Sequence, residues 1–130
     1  MFYNKVKESV DFINSKVDAQ PKVGIILGSG LGSLVDRIEN KTTIPYSEIP
    51  GFPQSSLEGH AGNLVFGTIG EQSLMVMQGR FHAYEGFEMK ETTYPLFMMK
   101  LMGVTHLIVT NACGGINPSF TPGDLMIIDD

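Results

Sequence analysis

The chain has 130 residues, 42% of them hydrophobic and 18% charged, enough apolar side chains for one domain with its own core and too many for a disordered chain. A formal net charge of −5 sets aside a general nucleic-acid or membrane-surface partner, although an acidic protein can still hold a small anion in a locally positive pocket. The lone cysteine, Cys113, excludes an internal disulfide and a cysteine zinc cluster; with no signal-peptide pattern at the start and no apolar run of bilayer length, the expected location is cytoplasmic.

Val6, Val10, Ile13 and Val17 recur at helical spacing between charged residues, which predicts an amphipathic opening helix ended before Pro21. Val23 to Leu27 reads as a short buried strand running directly into Gly28-Ser29-Gly30-Leu31-Gly32. From Ile44 to Gly62 the prolines and glycines are too frequent for a regular element, so a long loop is expected there. Asn63–Ile69 and Ser73–Gln78 read as two strands joined across Gly70-Glu71. Thr92–Met102 is apolar on most sides and predicts a buried helix with Pro95 in its first turn. His106–Thr110 is a further strand, entering Asn111-Ala112-Cys113-Gly114-Gly115, and Asp124–Ile128 is expected to be the last. Strands alternating with helices make this an α/β protein with a mixed, partly parallel sheet flanked by helices.

Three segments hold side chains suited to chemistry. The glycine loop at 28–32 lets backbone N–H groups approach an anion, with Ser29 adding a hydroxyl and a following helix N-terminus its partial charge. It is not a dinucleotide fingerprint, because Ser33 stands where the third glycine belongs, and no Gly-Lys-Ser/Thr follows to make a P-loop. Alone, such a loop is better explained as a structural turn. The run Gln78-Gly79-Arg80-Phe81-His82-Ala83-Tyr84-Glu85-Gly86 is denser in function. If extended, it puts Arg80, His82 and Tyr84 on one face. Arg80 offers a planar fork for phosphate oxygens, His82 a second donor with Glu85 to orient it, and Tyr84 a ring and hydroxyl suited to a sugar. The third segment, Asn111–Gly115, follows a strand, where open α/β sheets bind ligands. There Cys113 could be a nucleophile with His82 or His106 as base, or a small packing residue. His60, in Gly59-His60-Ala61-Gly62, is by itself a loop histidine without assigned work. The eight methionines read as core.

Taken in order, Ile26–Gly32, Phe52-Pro53 with Gly59-His60-Ala61-Gly62, Gly79–Gly86 and Asn111–Gly115 resemble the trimeric purine nucleoside phosphorylase family along nearly the whole chain. The resemblance implies that residues 1–130 are the N-terminal part of a single, truncated nucleoside phosphorylase domain. It implies that Ser29, Arg80, His82 and the Ala112 N–H hold phosphate, with His60 closing over it. His82 and Glu85 would be the catalytic pair, Glu85 orienting His82. Tyr84 would contact the ribose, and Ala112 and Gly114 the nucleoside, with Gly114 against the purine. The implied reaction is phosphorolysis of purine nucleosides with inorganic phosphate as co-substrate, without metal or organic cofactor, in a cytoplasmic homotrimer. Cys113 departs slightly from the family's usual alanine. The groups that read the purine, a further phosphate serine and a ribose histidine would lie past Asp130. The alternatives are a methylthioadenosine phosphorylase-like enzyme, a non-catalytic phosphate- or nucleotide-binding module, and a cysteine hydrolase built on Cys113.

Overall fold

The computed structural model describes residues 2–54 and 62–129. Helix α1 (Phe2–Lys16) lays Val6, Val10 and Ile13 on one buried face, as the spacing predicts. Strands follow as β1 (Val23–Ile26), β2 (Glu39–Pro45), β3 (Asn63–Ile69), β4 (Gln72–Gln78) and β5 (His106–Val109). They form one mixed sheet in the order β2-β3-β4-β1-β5. The first three form an antiparallel meander, and β1 runs parallel to β4 on one side and to β5 on the other. The β3–β4 hairpin turns where expected, with Gly70 at φ 57° supplying the left-handed conformation of a two-residue turn.

The central strands alternate in where they point but are apolar on both faces, which is what burial on both sides demands. Leu64, Phe66, Met75 and Met77 pack with α1 and with Met98 and Met99. Val65, Leu74, Val76, Ile25 and Leu27 face the other way, under Val35 and Ile38. Most of the polypeptide's burial is therefore centred on β3, β4 and β1. The edge strand β5 is exposed at every residue.

Several expectations need correction. Glu39–Pro45 is a strand, so the irregular stretch begins only after Pro45. Its run Asn40-Lys41-Thr42-Thr43 hides the strand because one face meets solvent at the sheet edge, where Pro45 is tolerated, and a register shift between Glu39 and Thr42 breaks the alternation. Thr92–Met102 is replaced by α2 (Met89–Thr92) and α3 (Tyr94–Leu101), separated at Thr93, since Pro95 has no N–H to continue the ladder. Helix α3 is also buried on one face only: Tyr94, Pro95, Met98 and Met99 are covered, whereas Phe97 is 52% exposed. Asp124–Ile128 forms no strand among the described residues, and Leu125 to Ile128 are all exposed. Strand propensity there finds no neighbouring backbone to pair with. Finally, the glycine loop is followed by a six-residue 3-10 helix (Gly32–Arg37) rather than an α-helix, a poorer source of aligned dipoles.

Candidate functional site

The parallel strands β4, β1 and β5 are neighbours, so their C-terminal ends bring three loops together: Gly79–His82, Leu27–Gly30 and Thr110–Gly114. This is the end of an open sheet where ligands bind. Strand β1 closes on β5 without room for a side chain at its exit. A Cβ on Gly28 would lie 2.6 Å from the Thr110 carbonyl oxygen and 2.7 Å from the Asn111 Cα. Glycine is required here by contact. The Gly28 N–H donates to Thr110 Oγ1 at 2.9 Å, and that hydroxyl donates to the Ile26 carbonyl at 3.1 Å. Ser29 follows on the exposed crest of the turn.

Arg80 reaches across from the end of β4. Its Nη1 donates to the Thr110 carbonyl at 3.0 Å and its Nε to His82 Nε2 at 3.0 Å. A guanidinium only donates, so His82 Nε2 accepts and the ring proton sits on Nδ1. Nδ1 in turn meets Glu85 Oε1 at 2.6 Å, and the same oxygen accepts from the His82 backbone N–H at 3.2 Å. The Glu85 carboxylate thereby caps the start of the 3-10 turn Ala83–Glu85, and the Glu85 N–H donates to the His82 carbonyl at 3.0 Å. The Glu85 side chain is 4% exposed and that of His82 23%, so the pair lies largely out of water. The order Arg80, His82, Glu85 is a relay of oriented donors with two of the arginine's five N–H groups engaged by the protein.

The segment is not one extended face. The 3-10 turn lifts Tyr84 into solvent, 80% exposed, with its ring stacked on His82 at 4.6 Å and 17°. Ala112 and Gly114 are exposed on the third loop. His60 lies outside the described residues. The sequence signals thus bring Ser29, Arg80, His82, Glu85 and Ala112 to one end of the sheet, with Tyr84 stacked beside them.

His106 is elsewhere. It begins β5, opposite Val23, at the far end of the sheet, with its Nδ1 on Thr105 Oγ1 at 3.0 Å. A strand rises about 3.3 Å per residue, so His106 cannot serve Cys113, which follows the other end of β5. Both ring nitrogens of His82 are held by Arg80 and Glu85, so neither histidine is poised as a base for Cys113. Among the described residues, no group of three or more His, Cys, Asp or Glu is arranged to hold a metal ion, and no helix is long and apolar enough to cross a membrane.

Two supporting residues carry no signal of their own in the sequence. Thr110 ends an apolar strand, and Tyr46 sits in the irregular stretch after β2. The Tyr46 hydroxyl is buried and donates to the Gly79 carbonyl at 2.7 Å, one residue before Arg80. Burial pushes its pKa up, which keeps it a donor. The Tyr46 backbone is held from both directions, donating to the Gly62 carbonyl at 2.8 Å and accepting from Gln54 at 2.8 Å. A cleft of about 210 Å³ lies between these groups and Arg80, lined also by Phe81.

Residues 22–130 match the phosphorylase superfamily. The chain belongs to that superfamily. Within it, the chain is 54% identical over 125 residues to purine nucleoside phosphorylase 1 of Geobacillus stearothermophilus, covering 96% of this chain and 46% of that protein. It is 45% identical over 128 residues to the Bos taurus purine nucleoside phosphorylase, covering 98% of this chain and 44% of that one. Among solved structures, it resembles Schistosoma mansoni isoform 2 of the phosphorylase, in complex with cytosine and ribose-1-phosphate, at a TM-score of 0.87 and 44% identity. It also resembles the Schistosoma mansoni enzyme in complex with inosine, at a TM-score of 0.85 and 47% identity. These alignments cover 94% and 93% of this chain and 43% and 42% of the solved chains. The superfamily fold is thus present here over slightly less than half the length of the relatives it matches.

Proposed function

We propose that residues 1–130 are the N-terminal part of a single purine nucleoside phosphorylase domain and carry its phosphate-holding half. The reaction is phosphorolysis: phosphate attacks the anomeric carbon of a purine nucleoside, the glycosidic bond breaks, and ribose 1-phosphate and free base leave. The observation that carries this reading is the Arg80–His82–Glu85 relay, set beside the Gly28 turn and the Ala112 loop at the ends of three parallel strands.

In this reading Arg80 supplies charge and a planar fork to two phosphate oxygens. Ser29 Oγ and the Ala112 N–H are neutral donors from the two flanking loops, and His60 adds one from the stretch before β3. Glu85 fixes the His82 ring by its Nδ1 proton, which leaves Nε2 as an acceptor on the Arg80 side of the site. His82 then engages the anion by giving up its Arg80 contact, Nε2 accepting the proton of monohydrogen phosphate. A fixed anion beneath the sugar then stabilises the oxocarbenium-like transition state and removes the entropy cost of a bimolecular encounter. Tyr84, projecting from the same turn, covers the ribose, and Ala112 and Gly114 face the nucleoside. Inorganic phosphate is the co-substrate, and no step calls on a metal or organic cofactor. The resemblance to the trimeric branch supports a homotrimer working in the cytoplasm, which sedimentation of the full-length protein checks.

The test is steady-state phosphorolysis of inosine by a full-length phosphorylase carrying these residues. Arg80→Ala should raise KM for phosphate far more than KM for nucleoside, because it removes a charge-assisted interaction worth about 1.5–3 kcal/mol. An unchanged phosphate KM would remove Arg80 from the site.

A further inference from the structure

The three loops of the site come from strands far apart in sequence, and one residue touches all three. We propose that Thr110 is the positioning residue that sets their spacing, an inference that rests on the phosphate reading above. Its hydroxyl accepts the Gly28 N–H at 2.9 Å and donates to the Ile26 carbonyl at 3.1 Å, which fixes the loop bearing Ser29. Its carbonyl accepts Arg80 Nη1 at 3.0 Å, which fixes the guanidinium. Its own chain runs on to Ala112 two residues later.

Packing does not do this work. Strand β5 is exposed along its whole length, with Leu107, Ile108 and Val109 between 45% and 57% exposed. The end of β5 is therefore held to β1 by hydrogen bonds rather than by a surrounding core. The Thr110 N–H also donates to the Ile26 carbonyl, at 3.0 Å, so Ile26 receives both the backbone and the side-chain bond. Among the described residues, the hydroxyl is the one partner of the Gly28 N–H. The absence of a Cβ on Gly28 lets the two backbones meet at this point, and the Thr110 hydroxyl bridges them where they touch. Valine would suit an edge strand equally well by shape; the hydroxyl is what the clamp requires.

The experiment compares Thr110→Val and Thr110→Ser in a full-length phosphorylase carrying these residues, with Arg80→Ala alongside. Valine keeps the branched shape and leaves the Gly28 N–H without a partner, while serine restores the hydroxyl. Thr110→Val should raise KM for phosphate about fivefold, the scale of one buried hydrogen bond, with KM for nucleoside little changed and Thr110→Ser close to the parent. Thr110→Ala removes the same hydroxyl and gives the same reading if Thr110→Val is not recovered folded. Equal phosphate KM values in the valine and serine variants, or a parallel rise in both KM values, overturn the inference. If Arg80→Ala leaves phosphate KM unchanged, the phosphate reading fails and takes this one with it. A shift in Arg80→Ala without one in Thr110→Val defeats the Thr110 inference alone.

Discussion

Glu85 is almost fully enclosed although it carries a carboxylate, and such burial is tolerated only when the oxygens are satisfied. Oε1 is held by the His82 ring and the His82 backbone N–H together, and among the described residues no buried side-chain oxygen lacks a partner. Neither residue keeps its geometry without the other, so we expect His82→Ala and Glu85→Ala to act as one unit. In a full-length phosphorylase carrying these residues the double variant should lose little more kcat/KM than the worse single variant; additive losses would break the pairing. Gly28 offers a second residue-scale test. A methyl group there must displace the Thr110 carbonyl and the Asn111 backbone, and forced overpacking of this kind costs about 1–3 kcal/mol. Thermal unfolding of Gly28→Ala should therefore begin several degrees below the parent, and an unchanged Tm would mean that the β1–β5 contact yields freely. Arg80, His82 and Glu85 were legible in the sequence because charged, planar and imidazole groups are crowded between glycines, next to apolar strands. Thr110 and Tyr46 were not legible, because their work is hydrogen bonds from a side-chain hydroxyl to backbone groups 33 to 84 residues away. Nothing in their local spacing records such partners.

Among the elements, the ones read correctly owe their pattern to local rules. Helix α1 shows its buried stripe at every turn, and the β3–β4 hairpin declares itself by the glycine of its turn. Strand β1 was recognisable as a short apolar run leading into glycines. What could not be read depends on neighbours: β2 is polar because it lies at the sheet edge, and Leu125–Ile128 is apolar without being a strand because no backbone lies beside it. Helix α3 combines both lessons, since its sequence is apolar nearly all round but only one side meets the sheet. Two substitutions separate those sides. Met98 is fully buried against α1 and the sheet, so Met98→Ala should cost about 2–5 kcal/mol of stability. Phe97 is half exposed and has an edge contact with Phe2 at 5.2 Å, so Phe97→Ala should cost only about 1 kcal/mol. Urea unfolding that ranks the two the other way would move the core of α3 to its outer face.

For the molecule as a whole, the apolar surface is distributed unevenly between the two ends of the sheet order. The β2–β3–β4 side is closed over by α1, α3 and the 3-10 helix, whereas β5 and the chain after it are open. Ile116, Leu125 and Ile127 are each more than nine-tenths exposed, and Leu107, Ile108 and Val109 add an uncovered edge strand. An exposed apolar edge of this kind invites pairing with another chain. Residues 1–130 alone should therefore self-associate with rising concentration and unfold at a lower temperature than a full-length phosphorylase carrying them. The same chain brings the loops bearing Ser29, Arg80, His82 and the Ala112 N–H to one end of the sheet, so it should bind inorganic phosphate or sulfate weakly. Ala112 and Gly114 are exposed, and among the described residues none beyond its chain neighbours stands within 4 Å of where a Gly114 Cβ would lie; placing the anion without stabilising the departing purine does not complete the barrier reduction. We expect no phosphorolysis of inosine by the isolated 130 residues, measured beside a phosphate titration and sedimentation at several concentrations. Turnover at the rate of an ordinary phosphorylase would sink this expectation, and the purine contacts would then have to be found among the residues exposed between Ala112 and Asp129.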